Sequence, residues 1–314
     1  MGFFSQTKKQ DGWMAFHFLG DGVCVAHVRR MPGAPPEVGL ATVSGAGHAD
    51  PAGLQKLARE VGAQRYRCTT LLAPREYQML AEEMPSVPQG ELKTAMRWRI
   101  KDLLDYRADD AAIDVLPIPA DGGGPGRSRS LYAVAAPAHL IRERMSLFEQ
   151  AGVPLSVIDI PDLAQRNMAA LVEQEGRALA LLSLDGGGGL LTITGGGELY
   201  LSRRIDVPWQ NQSYGGPEQR AVHFDRLTLE LQRSLDYFER QFAQLALSRL
   251  VLAPSLHAAG MREHLAGNLY VPVETLDLDS VLDLSRTPEL KGPEQQALYF
   301  QVLGAALRQE ESAQ

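Results

Sequence analysis

The sequence predicts an α/β protein whose mixed sheets carry helices on both faces, organised as two similar halves. Each half opens with apolar runs joined by glycine-containing turns, which is the pattern of a β-meander. The second meander is the clearer one, because Leu179–Leu184, Leu190–Thr194 and Leu199–Arg204 are separated by Gly186–Gly189 and Gly195–Gly197. After each meander, segments with helical spacing of apolar residues alternate with short apolar runs, as expected for β/α units.

The first half begins with a predicted hairpin, in which Met14–Leu19 and Val23–Arg29 flank the turn Gly20-Asp21-Gly22. Glu37–Ser44 is predicted as a third strand after the break at Pro32–Pro36. The other short apolar runs of this half predict the strands Cys68–Ala73, Ala111–Pro119, Ser130–Ala136 and Leu155–Ile160. Helical spacing predicts a helix that begins at Asp50-Pro51, and further helices over Pro74–Met84, Gln89–Leu104, Pro137–Gln150 and Pro161–Gln174.

The second half contains the longest predicted helix, Phe224–Leu247, whose apolar residues form one stripe that we expect to be buried. The polar segment Pro208–Arg220 before it is predicted as a loop. The other predicted elements are the strands Leu250–Ala253 and Tyr270–Leu276 and the helices His257–Leu265 and Gln295–Arg308.

Composition excludes several classes of protein. An apolar fraction of 45% and a charged fraction of 22% are typical of globular chains and exclude extensive disorder. A net charge of −7 and a pI near 5.6 disfavour a nucleic-acid binder, since phosphate neutralisation needs clustered lysine and arginine. No apolar run approaches the roughly 20 residues that cross a bilayer. Cys24 and Cys68 form no metal motif and are predicted to be buried thiols, so we expect a protein of the reducing cytoplasm.

Four segments, which together span most of the chain, carry a family resemblance. They are VPQGELKTAMRWRIKDLLDYRADDAAIDVLPI (Val87–Ile118), EQAGVPLSVIDIPDLAQRN (Glu149–Asn167), ELYLSRRIDV (Glu198–Val207) and LELQRSLDYFERQ (Leu229–Gln241), the last being the most specific. They resemble segments of the type IV pilus assembly family PilM, which has the actin-like ATPase (ribonuclease H-like) fold. The absence of an Asp-Ile-Gly phosphate loop and the segment MRWRIKDLLDY point further to the branch of MshI-type proteins of mannose-sensitive haemagglutinin (MSHA) pilus biogenesis.

The resemblance implies a two-lobed molecule. A flexible tail over 1–12 precedes a first lobe over 13–177, which consists of a core (13–74 and 154–177) and an inserted subdomain (75–153). The second lobe over 178–314 consists of a core (178–210 and 249–314) and a subdomain (211–248). The tail carries Phe3-Phe4 and Lys8-Lys9, a weak amphipathic signal for a membrane surface, with a disordered tail as the alternative.

An actin-like nucleotide site needs glycine turns around the phosphates and aspartates for Mg²⁺. His17 stands where the family has its first aspartate, although Asp21 lies nearby in the turn. The second turn retains Asp185 with Gly186, Gly187 and Gly188, in a register uncertain by one residue. Ala253-Pro254-Ser255 replaces the glycines expected beside adenosine. We therefore expect remnant phosphate turns, no catalytic residue and no metal site, with ATP and Mg²⁺ binding not favoured.

The resemblance implies a cytoplasmic adaptor that binds the tail of a bitopic inner-membrane PilN-like partner and works with other pilus assembly components. The membrane would then be reached only indirectly. Six residues of the predicted helix Gln89–Leu104 are candidates for a partner groove, with the arginines at its rim: Leu92, Met96, Arg97, Trp98, Arg99 and Leu103. Trp98 lies off the apolar stripe, so it is either exposed or packed on the neighbouring hairpin. The alternative functions are an ATP-binding ATPase and a polymerising scaffold.

Overall fold

A computed structural model describes residues 9–20, 22–45, 47, 49–119, 129–185, 187–207, 217–255 and 260–309, with the backbone alone for 217–220. Its strands are β1 (Trp13–Leu19), β2 (Gly22–Met31), β3 (Ala34–Ser44), β4 (Arg67–Leu71), β5 (Gln78–Glu83), β6 (Ala111–Pro117), β7 (Ser130–Pro137), β8 (Leu155–Asp159), β9 (Ala178–Asp185), β10 (Gly188–Gly195), β11 (Glu198–Ile205), β12 (Leu247–Leu252) and β13 (Val273–Thr275). Its α-helices are α1 (Pro51–Glu60), α2 (Leu92–Ile100), α3 (Ala138–Gln150), α4 (Pro161–Ala169), α5 (Pro217–Gln241), α6 (Met261–Asn268) and α7 (Pro293–Ala306).

Two five-stranded sheets repeat one topology. The first sheet has the order β3-β2-β1-β4-β8 and the second has the order β11-β10-β9-β12-β13. In each sheet three strands form an antiparallel meander, and two further strands pair in parallel beside its first strand. The doubled β-meander and the mixed sheets predicted from the glycine-separated apolar runs are confirmed.

A third, small sheet has the order β5-β7-β6, and all its pairings are antiparallel. Helix α2 covers it and contributes Met96 and Ile100 to a core that also contains Leu131 and Ala133. The predicted helix Pro74–Met84 is wrong, because Gln78–Glu83 forms strand β5 and pairs with β7 along its whole length. Strand pairing with a segment 50 residues later outweighs the helical propensity of this stretch.

Other differences concern the bounds of elements. Strand β3 begins at Ala34 and therefore includes Pro35 and Pro36. It is the edge strand of its sheet, and an edge strand tolerates proline because only one of its sides is hydrogen-bonded to a neighbouring strand. Helix α2 is shorter than predicted, since Gln89–Glu91 forms a 3₁₀ turn. Helix α5 begins at Pro217, inside the predicted loop. At the amino terminus, residues 1–8 lie outside the described part, whereas the backbone N–H of Gln10 donates to the carbonyl of Arg65 at 2.8 Å.

The two cysteines are buried and unpaired, as predicted. Burial raises the pKa of the Cys24 thiol and of the Cys68 thiol to about 12. Both side chains therefore act as small apolar core residues at neutral pH.

Helices α4 and α7 pack together and belong to a core that draws residues from both five-stranded sheets. Their approach is close at Gly304 of α7, where an added Cβ would collide with the backbone carbonyl of Ala164, 2.8 Å from its carbon atom. The Asn167 side chain donates to the Gly304 carbonyl at 3.0 Å across the same contact. A glycine is therefore needed at 304 for steric reasons.

Gln165 fixes α4 on the second sheet. Its buried amide nitrogen donates to the carbonyls of Leu181 (2.7 Å) and Leu190 (3.0 Å), and its amide oxygen accepts from Ser183 Oγ at 2.6 Å. Buried amides of this kind position elements strongly, because each unmade hydrogen bond would cost about 1–3 kcal/mol.

We expect Gly304→Ala to lower the free energy of unfolding by about 1–3 kcal/mol, because the methyl group overpacks the contact between α4 and α7. Gly267→Ala is the matched control, since it also lies in a helix but its Cβ would meet nothing within 4 Å. That control should stabilise the protein by about 0.5–1 kcal/mol. Urea unfolding of both variants measures the difference, and equal effects would contradict the close packing.

Candidate functional site

His17 near the end of β1 lies close to Asp185 at the end of β9, and we call the region around these two residues the cleft. His17 of β1 is close enough to Asp185 of β9 for the carboxylate to act on its pKa. The pKa of His17 is lowered to about 4, mainly by burial. The positive charge of Arg144 lowers this pKa further, whereas the negative charge of Asp185 raises it. His17 is therefore a neutral imidazole at pH 7 and contributes neither a carboxylate nor a positive charge to this cleft.

The second predicted phosphate turn is already engaged in internal bonds. Asp185 Oδ1 accepts from the N–H of Gly187 at 2.8 Å, and Oδ2 accepts from Arg204 Nη1 at 3.3 Å. Gly188 has φ 143°, and a Cβ there would collide with the carbonyl oxygen of Ile205. Two other predicted residues, Asp21 and Gly186, lie outside the described residues.

A polar cluster joins three parts of the molecule at the bottom of the cleft. Asp162, at the start of α4, accepts hydrogen bonds from the hydroxyls of Tyr77 and Ser202. Ser202 lies on β11, and its N–H donates to the Tyr132 hydroxyl at 3.0 Å. The Asp162 side chain thus connects α4 with the second sheet and with the segment that leads into the small sheet.

Arg204 completes this cluster. Burial opposes its charge, but the Tyr77 hydroxyl and the carboxylates of Asp162 and Asp185 together raise its pKa. Burial, followed by the neighbouring Asp162 carboxylate, raises the pKa of Tyr77. On the other side of the cleft, Arg144 donates to both oxygens of Glu76 at 3.1 Å. The arginines near the two turns are therefore paired with carboxylates of the protein itself.

No group of three or more potential ligands among the described histidines, cysteines and carboxylates is arranged to hold a metal ion. The segment expected beside adenosine follows β12, where the N–H of Ala253 donates to the carbonyl of Leu182 at 2.8 Å. Pro254 follows it and supplies no N–H donor.

The predicted partner residues on α2 divide into different environments. Met96 is fully buried in the core of the small sheet, so its assignment to a surface groove is wrong. Arg97 Nη1 donates to the carbonyls of Ala108 and Ala111 at 2.7 and 3.1 Å, which makes it an internal brace. Trp98 is 70% exposed, which decides between its two predicted placements in favour of exposure.

The remaining three candidates lie nearer the surface. Arg99 pairs with Glu82 at 3.1 Å and with Glu83 at 3.4 Å, and Leu103 is exposed beyond the end of α2. Leu92 is half-buried and lines a cavity of about 480 Å³ together with Val87, Pro117 and Pro119. That cavity is mainly apolar, as a peptide groove should be.

A larger groove of about 670 Å³ lies between the small sheet and helix α4, and we call it the lateral groove. One wall is apolar and consists of Leu116, Pro117 and Pro119 at the end of β6. The lining also contains three arginines, Arg30, Arg166 and Arg308, which we call the basic wall, and one carboxylate, that of Glu198. Pro117 and Pro119 line the lateral groove as well as the apolar cavity beside Leu92, so the two spaces are neighbours.

Sequence reasoning did not find this basic wall. Arg30, Arg166 and Arg308 are far apart in the chain; Arg166 lies in the quoted segment Glu149–Asn167, but that segment assigns it no role. The one available signal was the position of Arg30 and Arg308 directly after long apolar segments, where a charged residue is commonly half-buried.

No protein-family model and no curated protein matches the sequence. Among solved structures, the PilM–PilN type IV pilus biogenesis complex matches with a TM-score of 0.68 and 19% identity, over 95% of this chain and 98% of that chain. A Bacteroides thetaiotaomicron protein with an actin-like ATPase fold matches with a TM-score of 0.49 and 11% identity, over 93% and 99%. The cytoplasmic domain of EpsL from Vibrio cholerae matches with a TM-score of 0.44 and 12% identity, over 66% and 76%. The chain thus has the actin-like ATPase fold that the sequence predicted, in a form similar to PilM.

We expect Asp162→Ala to lower the free energy of unfolding by about 1–3 kcal/mol, because it leaves the hydroxyls of Tyr77 and Ser202 without their acceptor. Hydrogen exchange should become faster in β11 and in the segment before β5. The control is Asp225→Ala, whose carboxylate is exposed on α5 and should change stability by less than about 0.5 kcal/mol. Unchanged exchange in both segments would contradict the connecting role of Asp162.

Proposed function

We propose that this protein is a non-catalytic adaptor of type IV pilus biogenesis, of the MshI-type branch that serves MSHA pili. It binds the cytoplasmic tail of a bitopic inner-membrane PilN-like protein and is held at the inner membrane by that tail. The observation that carries the proposal is the lateral groove beside the small sheet, in a fold similar to the PilM–PilN complex. No helix in the described part of the chain is long and apolar enough to span a bilayer, and attachment through a partner requires none.

The lateral groove has the chemistry that an extended tail requires. A short peptide buries few residues, so its affinity depends on an apolar surface and on partners for its backbone groups. The prolines at the end of β6 supply rigid apolar contacts, and the arginines of the basic wall supply donors for peptide carbonyls. The neighbouring apolar cavity at Leu92 can take a further side chain, because both spaces share Pro117 and Pro119.

The exposed side of α2 is a less suitable place for the tail. Trp98 is exposed, with Lys101 Nζ 6.0 Å from its ring centre, and it lines neither the lateral groove nor the cavity beside Leu92. Of the residues predicted from the sequence, Leu92 is the one that supports the proposed location most directly.

The paired charges of the cleft support a role without nucleotide turnover. Phosphates would need unpaired cations and open glycine turns, but Arg204 and Asp185 already bond to each other. His17 is a buried neutral group in the place where the family has an aspartate. An adaptor needs the fold and the groove alone, and fold does not fix catalytic function.

Tail binding is tested with synthetic peptides of the cytoplasmic tails of bitopic membrane proteins encoded beside this chain. We expect Ala170→Tyr, which fills the lateral groove from the end of α4, to weaken binding of the correct tail at least tenfold, or about 1.4 kcal/mol. Trp98→Ala should bind as well as wild type. The opposite result, with Trp98→Ala impaired and Ala170→Tyr normal, would move the tail to the surface of α2, and no binding by any tail would refute the adaptor.

Nucleotide is tested by calorimetry with Mg-ATP. We expect no binding tighter than about 10 μM, which corresponds to about −6.8 kcal/mol, and no phosphate release. Tighter binding would favour the ATP-binding alternative. Sedimentation at rising protein concentration is the corresponding check on a polymerising scaffold, for which the apparent mass should grow with concentration.

A further inference from the structure

Arg30 lies on the basic wall of the lateral groove, where its guanidinium bonds to a backbone carbonyl. Its Nε and Nη2 both donate to the carbonyl of Leu307, at 3.0 and 2.8 Å, at the end of α7. Within the described part of the chain, no ion pair joins Arg30 to an aspartate or glutamate. Burial lowers the pKa of the half-buried Arg30 guanidinium.

Arg308 provides the comparison on the same wall. It donates from Nη1 to Asp159 Oδ2 at 2.7 Å, and that carboxylate is only 2% exposed. Its charge is thus balanced within the protein, whereas no carboxylate among the described residues forms an ion pair with Arg30. A guanidinium has five N–H donors, and one carbonyl engages only the edge formed by Nε and Nη2.

We propose that Arg30 is the recognition point for a carboxylate carried by the peptide in the lateral groove. The ligand is an extended segment in which an acidic residue is flanked by apolar residues. The acidic side chain meets Arg30, because guanidinium and carboxylate form short, charge-assisted pairs. The apolar neighbours meet Leu116, Pro117 and Pro119 on the apolar wall, where a small hydrated anion would gain nothing. The identification of this segment as a partner's tail rests on the proposed function.

The test uses two blocked peptides of equal shape, acetyl-Leu-Leu-Glu-Leu-amide and its glutamine counterpart. Wild-type protein should bind the glutamate peptide at least tenfold more tightly, and the preference should shrink as salt is raised and charges are screened. Arg30→Gln should remove the preference, and Arg30→Lys should retain part of it. Arg286→Gln is the matched control, since Arg286 is an exposed arginine that pairs with Glu37 outside the groove.

Arg30 also holds the end of α7, so a variant that fails to fold is a risk. The comparison of the two peptides on wild-type protein needs no variant, and it tests by itself whether the groove prefers a carboxylate. Equal affinity for both peptides, no binding of either up to about 1 mM, or an unchanged preference in folded Arg30→Gln protein overturns the inference. If a membrane-protein tail binds equally well after its acidic residue is changed to glutamine, recognition of a carboxylate by Arg30 is refuted, but the proposed adaptor function is not. A glutamate preference without binding of any tail would instead refute the adaptor alone.

Discussion

The contact between α4 and α7 at Gly304 determines how the rest of the molecule is arranged. The two helices share a core with both large sheets, and their approach is close enough to exclude a side chain at position 304. The start of α4 carries Asp162 into the cleft, and the end of α7 brings Arg308 and the Leu307 carbonyl to the lateral groove. Both candidate sites therefore depend on one tightly packed helix pair, in which a shift of either helix would displace residues at each site.

Charge pairing distinguishes the two sites. In the cleft, Arg204 forms an ion pair with Asp185 and Arg144 forms one with Glu76. Removal of one partner of a buried ion pair typically lowers the free energy of unfolding by about 3–5 kcal/mol, and by less where the pair is partly exposed, as here. Arg204 and Arg144 are thus already paired with carboxylates of the protein. In the lateral groove, Arg30 bonds to a neutral carbonyl, and no described carboxylate forms an ion pair with it.

The parts of the fold that sequence predicts well are those specified by local pattern. Glycine-separated apolar runs gave both meanders, and Asp50 caps α1 through a bond from the N–H of Gly53, as the Asp-Pro order predicts. Strand β5 could not be found, because its partner β7 lies 50 residues away. Met96 was placed in a surface groove although it belonged to the apolar stripe of its own helix, which is a core signal. The cluster of Tyr77, Asp162 and Ser202 joins residues that no local pattern relates.

The position of α4 also explains how residues of the cleft can be replaced without loss of the lateral groove. Asp162 lies in its first turn, whereas Ala170 lies just past its last residue, about 12 Å further along the helix axis. Gln165 and Asn167 bond the helix to the second sheet and to α7, so it is fixed along its length by contacts that involve neither glycine turn. An actin-like chain built in this way can lose the residues that hold phosphates and still keep its lateral groove.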